Sequence, residues 1–285
     1  MSKFLRAKAC SETNIHVYIT HTMKGLTNMN TELKKEYPYL YETHLHTNQS
    51  SACANNTGAE MAKAAKEYGY TGIIVTDHAW GGNTSVDRSL SWKDWVTEFA
   101  KGYEDAKNFG DKNDFDVFFG YEAGFNGTEF LIYGLTPEWM ITHPELKEAT
   151  IEEQIGIVHQ GGGMVIHAHP YREEFYIPEI RLYPEHVDGV EAVNATHSNH
   201  LSKSHNDPEF DVRAWDYAKK HSFPMTAGSD VHSINMLGGG VAFKHRLSGI
   251  QDYIDSILVK KDYILCNGDE YFDTKQPKLS FANTV

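Results

Sequence analysis

Five short apolar runs, each ending in side chains that bind metals, narrow what this chain can fold into. Tyr41-Glu42-Thr43 leads into His44-Leu45-His46, Ile73 to Thr76 into Asp77-His78, and Phe115 to Phe119 into Gly120-Tyr121-Glu122. Met164 to Ile166 leads into His167-Ala168-His169-Pro170, and Phe223 to Ala227 into Gly228-Ser229-Asp230-Val231-His232. Short β-rich runs separated by helical patterns are the signature of parallel βα units. In a barrel of such units the carboxyl ends of the strands gather on one face, where catalytic groups collect. Side chains alternate along a strand with period two, so His44 and His46 share a face about 6–7 Å apart, a span one metal ion bridges.

The intervening segments read as helices with explicit start and stop signals. Thr57 and Glu60 match a capping box, and Gly69 ends the Ala-rich helix that follows. Ser91 to Phe109 reads as one helix on which Trp92, Trp95, Phe99 and Tyr103 recur at helical spacing, a stripe for packing on the barrel wall or for stacking on substrate. Further helices are expected over Thr150–Gln160, closed by Gly161-Gly162-Gly163, and over Asp211–His221. Phe130 to Gly134, Asp188 to Asn194 and Tyr263 to Cys266 complete the strands, and Gly81-Gly82-Asn83 is a flexible loop over the mouth. Residues 1–38 read as an N-terminal extension with an edge strand near Ile15–Thr20, and residues 39–285 as one domain with a short tail.

Taken together and in order, the five strand ends resemble the polymerase and histidinol phosphatase (PHP) domain family, over roughly residues 39–268. The resemblance implies an α/β fold, a distorted (βα)7 barrel of the PHP type. It also implies a metal-dependent phosphoesterase that cleaves phosphate monoesters with a metal-activated hydroxide at a bi- or trinuclear centre. By the same resemblance His44, His46, Glu122 and Asp230 hold one ion, and Glu122, His169 and His197 hold a second. His78 and His232 stand at the family's third-site positions. Asp77 is expected to orient His44 or His46, and His167 to support a ligand from behind. Arg172 either grips the substrate phosphate with its fork or makes a surface ion pair with Glu173 or Glu174.

The chain also departs from the family pattern. Many relatives place a further acidic or histidine ligand soon after the first His-x-His, whereas this chain offers Asn48, Gln49, Ser50, Ser51 and Cys53. Cys53 is then either a thiolate ligand or a small packed thiol. A histidine that some family members carry near Phe130–Gly134 is missing, and Glu129 reads as a polar-loop residue whose replacement is silent. Mixed imidazole and carboxylate donors suit two or three divalent transition metals, Zn, Mn or Fe. Amidohydrolase barrels also begin with His-x-His and cleave carbon–nitrogen bonds, but they bridge their metals with a mid-barrel lysine that no strand here presents. A metal-binding module without catalysis is the third reading.

Composition sets the remaining limits. Hydrophobic residues at 40% and charged residues at 23% over 285 positions fit a globular enzyme. A formal charge of −13 argues against general nucleic-acid binding and leaves a small phosphorylated substrate as the expected partner, since bound cations reverse the local field. Cys10, Cys53 and Cys266 form no disulfide framework, which points to a reducing cytoplasm. No membrane span is expected. Nothing in the chain specifies oligomeric state.

Overall fold

The computed structural model describes residues 30–281, so the edge strand expected over Ile15–Thr20 lies outside the described residues. Ten strands form a single sheet. Seven of them follow one another around a barrel: β1 (Tyr39–Leu45), β2 (Gly72–Val75), β3 (Asp116–Phe125), β4 (Thr128–Tyr133), β5 (Met164–His167), β6 (Gly189–Asn194) and β7 (Met225–Gly228). β8 (Gly239–Phe243) pairs antiparallel with the first half of β1 and carries β9 (Tyr263–Asn267) and β10 (Tyr271–Asp273) outward.

The second half of β1 closes the ring. Val231, just past β7, donates to His44 O at 3.2 Å and accepts from His46 N at 3.0 Å. Thr43 Oγ1 adds a bond to Ala227 O at 2.7 Å. The expected barrel is therefore present, and its distortion has an identifiable source. β4 runs antiparallel to both β3 and β5, because Asn126-Gly127 makes a two-residue turn with both φ values positive (49° and 87°). Asn-Gly is the strongest short hairpin signal, since both residues tolerate the left-handed region a type I′ turn requires. One βα unit is thus replaced by a hairpin, and β4 brings its own residues into the barrel.

The helices follow their caps. α1 (Gly58–Tyr68) begins at the Thr57–Glu60 capping box and ends at Gly69 in the left-handed conformation. The single helix expected from Ser91 to Phe109 is two, α2 (Trp92–Phe99) and α3 (Lys101–Lys112), bent at Ala100. Trp92 and Trp95 stack at 5.3 Å and Trp95 and Phe99 at 5.0 Å, buried over Phe119. The aromatic stripe is wall packing. α4 (Pro137–Ile141), α5 (Ile151–Gln160), α6 (Ala195–Ser198), α7 (Glu209–His221) and α8 (Ile250–Asp255) complete the set named here. Among the described residues no helix is long and apolar enough to cross a membrane.

α1 and α3 meet backbone to backbone. A Cβ on Gly58 would lie 2.0 Å from Gly102 O and 2.9 Å from Ala106 N, atoms that cannot swing aside. Gly58→Ala is therefore expected to lower stability by ~1–3 kcal/mol, the usual cost of overpacking. Gly156, inside α5, has open space where its Cβ would go. Gly156→Ala is expected to raise stability by ~0.5–1 kcal/mol through helix propensity. Thermal melts of the two variants should move in opposite directions.

Candidate metal centre

The strand ends deliver their side chains to one buried cluster. His44 and His46 project together from the end of β1, with ring centroids 5.1 Å apart. Glu122 faces them from β3, with Oε1 3.2 Å from His44 Nε2 and Oε2 3.6 Å from His46 Nε2. Asp230 Oδ1 lies 3.5 Å from His44 Nε2 and 3.3 Å from His46 Nε2. His169 Nε2 lies 3.3 Å from Glu122 Oε1, and His78 Nδ1 lies 2.8 Å from Glu122 Oε2. His169 and Asp230 both hold positive φ (27° and 52°), a strained backbone that collects at functional sites.

All of these residues are buried, yet His44 Nε2, His46 Nε2, His78 Nδ1 and Glu122 Oε2 face one another without a well-formed hydrogen bond to any of the four. Leaving such groups unpaired in a protein interior is costly. A divalent cation removes that cost, and imidazole with carboxylate is the donor set of Zn, Mn or Fe. Among the described residues, ligand-type atoms lie within 4.8 Å of one another in four groups: His44/His46/Glu122, His44/His169/Asp230, His78/Glu122/Glu129 and His46/His78/His232. The residues present fit a metal centre.

Behind the cluster, a shell of buried groups fixes ring orientation. His44 Nδ1 donates to Glu191 Oε1 at 2.9 Å, which leaves its Nε2 lone pair for an ion. Glu191 Oε2 accepts from His169 N at 3.1 Å and Asn194 Nδ2 at 3.0 Å. Glu42 accepts from His44 N and Ser229 N, tying β1 to the loop after β7. Asp77 does not touch His44 or His46. It accepts from Thr47 N at 2.6 Å, Thr47 Oγ1 at 2.7 Å and Ser51 Oγ at 2.6 Å, and Ser51 Oγ in turn lies 3.3 Å from His46 Nδ1. Its reach to the cluster runs through Ser51. Burial pushes the Asp77 carboxyl up to about 6, against the hydrogen bonds from Ser51 and Thr47.

The remaining expectations separate. Arg172 is buried, with Nη1 2.7 Å from Asp230 Oδ2, Nε donating to His197 Nε2 at 3.0 Å and Nη2 donating to Thr196 Oγ1 at 3.2 Å. It makes no surface pair, since Glu173 binds Arg213 and Glu174 binds His205. His197 is not in the cluster. Its Nδ1 meets Asp211 at 2.7 Å and its Nε2 meets Arg172 at 3.0 Å, so both nitrogens are engaged outside the cluster. Burial, then Arg172 and His169, keep it neutral, as an acceptor for Arg172 requires. His167 makes no hydrogen bond to a ligand among the described residues and packs on Phe130 at 4.9 Å.

Glu129 is the residue sequence reasoning missed. β4 pairs Glu129 with Gly124, which shares the inward face of β3 with Glu122 by period two. Its Oε2 lies 3.5 Å from His169 Nε2 and its Oε1 3.8 Å from His78 Nδ1. Asn126-Gly127 was the available signal, because a two-residue turn fixes the register that aims Glu129 inward. Cys53 is exposed as a residue rather than packed, and it lines the same cavity as His232 and His78. Partial burial raises the thiol, but the nearby imidazoles of His232 and His78 outweigh it and bring Cys53 down to about 6. Cys53, Phe125, Tyr176 and Met236 line the outer part of a cavity of about 580 Å³ with the cluster beneath them.

Charge state follows from these contacts. Burial opposes charge on His44, but Glu191, Asp230 and Glu122 hold it well above the usual imidazole range. Glu122 acts likewise on His78, against burial. Burial would raise Glu122, but His44 and His78 hold it well below the usual carboxylate range. Without metal, His44 and His78 therefore carry protons near neutrality, and coordination must expel them. Apparent metal affinity is expected to rise with pH through the neutral range. Calorimetric titration in two buffers of different ionisation enthalpy should register proton release on binding.

Comparison with known proteins supplies the lineage. The family model of the PHP domain matches residues 42–222, and the PHP-associated model matches residues 210–258. No curated protein matches the chain. Among solved structures, it is similar to a two-domain protein from Bacteroides vulgatus described as containing a predicted PHP-like metal-dependent phosphoesterase. That match has TM-score 0.57 and 15% identity, covering 80% of this chain and 64% of that one. An amidohydrolase from Chromobacterium violaceum with bound sulfate and no metal is more distant, at TM-score 0.43 and 14% identity, covering 68% of this chain and 87% of that one. The Bacteroides match extends the fold beyond the barrel motifs, and because the family model spans most of the barrel, from Glu42 to Ser222, the chain belongs to the PHP domain family.

Proposed function

We propose that this protein hydrolyses phosphate monoesters at a centre of at least two divalent transition ions. One observation carries the reading. Four buried ligand-type atoms without well-formed hydrogen bonds converge beside the buried guanidinium of Arg172, which lines the cavity above them. Unsatisfied imidazole and carboxylate atoms call for cations, and an Arg fork next to cations suits a phosphoryl group.

His44, His46, Glu122 and Asp230 would hold one ion, and Glu122, Glu129 and His169 a second, with Glu129 where the sequence reading had His197. Bound there, a pair of cations supplies a nucleophilic water at neutral pH and a clamp on the phosphoryl oxygens. The chain's own residues do the rest. Arg172, held by His197 and Thr196, is a fixed positive charge at the wall, and its Nη1 is free to exchange Asp230 for a phosphoryl oxygen. Glu191 and Glu42 hold His44 and the backbone of the loop after β7 against drift. The ester P–O bond would break as the oxygen of that water bonds to phosphorus, and the leaving alkoxide would take the proton that the water gives up. The cavity mouth beside Phe125, Tyr176 and Met236 accommodates the organic part of a small substrate. No lysine lines the cavity among the described residues, which disfavours carbon–nitrogen hydrolysis with a lysine-bridged pair.

The test separates the carboxylates. Glu122→Gln should lose a metal equivalent and more than ~100-fold in kcat, comparable to removing a strong electrostatic stabiliser. Glu129→Gln should weaken the second ion while leaving the first bound, and Glu138→Gln, an exposed residue on α4, should change neither. Elemental analysis with kinetics on a panel of phosphate esters reads all three. Full occupancy and full activity of Glu122→Gln would sink the proposal.

Arg172→Ala should raise KM with metal content unchanged, by a factor equivalent to the ~1.5–3 kcal/mol of a charge-assisted hydrogen bond. An unchanged KM on every phosphorylated substrate would confine Arg172 to a structural role with Asp230.

A further inference from the structure

A second cavity, of about 200 Å³, lies on the outer side of the barrel wall. Tyr121 and Ala123 line it from β3, on the face opposite Glu122 by period two. Trp92 of α2, Met140 of α4 and Gln154 of α5 close it from the helix side. Trp80, Lys147 and Glu148, half-buried or exposed, stand at its mouth. The cavity backs onto that of the metal centre, with Gly81, Gly124 and Phe125 common to both linings. Bare backbone meets there. A Cβ on Gly81 would lie 2.2 Å from Gly124 O, and one on Gly124 would lie 2.7 Å from Gly82 Cα.

Two polar groups in this cavity are out of place for wall packing. Gln154 shares the buried face of α5 with Ile151, Ile155 and Val158 and is 7% exposed, where an apolar side chain would pack. Its amide lies beside the Tyr121 hydroxyl, which is buried without a well-formed hydrogen bond. Burial pushes the Tyr121 phenol up, so its hydroxyl keeps its proton. Leaving such groups without good partners in an interior is costly. The rest of the lining is aromatic. Trp92 gives its Nε1 to Met140 O at 2.6 Å, so it offers the cavity apolar surface. Trp80 packs edge-on against Trp92 at 5.8 Å, and Lys147 Nζ sits 5.4 Å from the centre of the Trp80 ring. Lys147 and Glu148 cancel in charge, so the mouth selects no ion.

We propose that this cavity is a binding site for a neutral single-ring phenol. Its hydroxyl would bridge Tyr121 Oη and the Gln154 amide, and its ring would lie among Trp80, Trp92 and Phe125. Apolar cavities of about 150 Å³ take up benzene, so the volume here suits one ring with a substituent. A ligand in this place bears on Gly81 and Gly124, backbone that the metal-centre cavity shares. The inference stands on the fold and does not need the function proposed above.

The experiment titrates the full chain with 4-fluorophenol and, in parallel, with fluorobenzene, both read by fluorine NMR. 4-Fluorophenol should bind saturably and about fivefold or more tighter than fluorobenzene, which lacks the hydroxyl. Tyr121→Phe keeps the ring in place and should weaken 4-fluorophenol by about fivefold while leaving fluorobenzene unchanged. Ala149→Leu puts extra carbons into the lining and should abolish binding of both probes. Near-ultraviolet circular dichroism checks that each variant is folded. Inorganic phosphate added with Zn(II) should displace neither probe. No saturable binding would overturn the proposal and leave the cavity to water. Equal affinity for the two probes, or binding that Tyr121→Phe leaves unchanged, would overturn it as well. Displacement by phosphate would place the ring in the other cavity and overturn it too.

Discussion

Two backbone hydrogen bonds, from Val231 to His44 and from His46 to Val231, hold together the barrel and its site at once. They close the ring between the end of β1 and the segment after β7. The residues flanking Val231 are Asp230 and His232, and those flanking Leu45 are His44 and His46. Pairing Leu45 with Val231 therefore sets four ligand-type side chains against one another with no further choice of geometry. Gly228 makes the closure possible, since a Cβ there would lie 2.4 Å from His44 Cβ. The position of the site follows from how the sheet closes, and any change that loosened the closure would scatter the ligands.

The second constraint is charge. Glu42, Glu122, Glu191, Asp77 and Asp230 are all buried, in a region where an unpaired carboxylate is expensive. The chain meets this cost in two different ways. Away from the cavity, Glu42, Glu191 and Asp77 accept hydrogen bonds from backbone, imidazole and hydroxyl donors, so their role is to fix positions. Facing the cavity, Glu122 and Asp230 are neutralised by His44, His78 and Arg172, partners that an incoming cation can replace. The first set makes the frame stiff, and the second keeps it ready for exchange.

Much of this was legible in the sequence because strand-end motifs are local. His44-Leu45-His46 or Asp230-Val231-His232 can be read without knowing the partner strand, since period two decides which side chains share a face. What was not legible depended on pairing between segments. Glu129 looked like a loop residue because the turn at Asn126-Gly127 was not used to set the register of β4. His197 looked like a ligand because nothing in one dimension shows that Asp211, fourteen residues later, takes its Nδ1 and that Arg172 takes its Nε2. Asp77 was expected against a histidine and instead grips Thr47, just past the end of β1, and Ser51, in the loop that follows. That loop's serines secure the first turn beyond β1, and its cysteine reaches the rim.

A chain with a formal charge of −13 is an awkward host for a phosphate ester, and the cavity sharpens the difficulty. Three carboxylates, Glu122, Glu129 and Asp230, line it against the single guanidinium of Arg172, which is itself engaged with Asp230. In the metal-free state a dianionic substrate would meet repulsion from the carboxylates, with the protonated imidazoles of His44 and His78 already committed to Glu122 and its neighbours. Two divalent cations, as proposed above, would reverse that balance by neutralising the carboxylates and freeing Arg172 from Asp230. Metal dependence would then have an electrostatic cause that precedes any chemistry on phosphorus. On the function proposed above, the cations would load before the substrate, and the formal charge of −13 would disfavour polyanions such as nucleic acid.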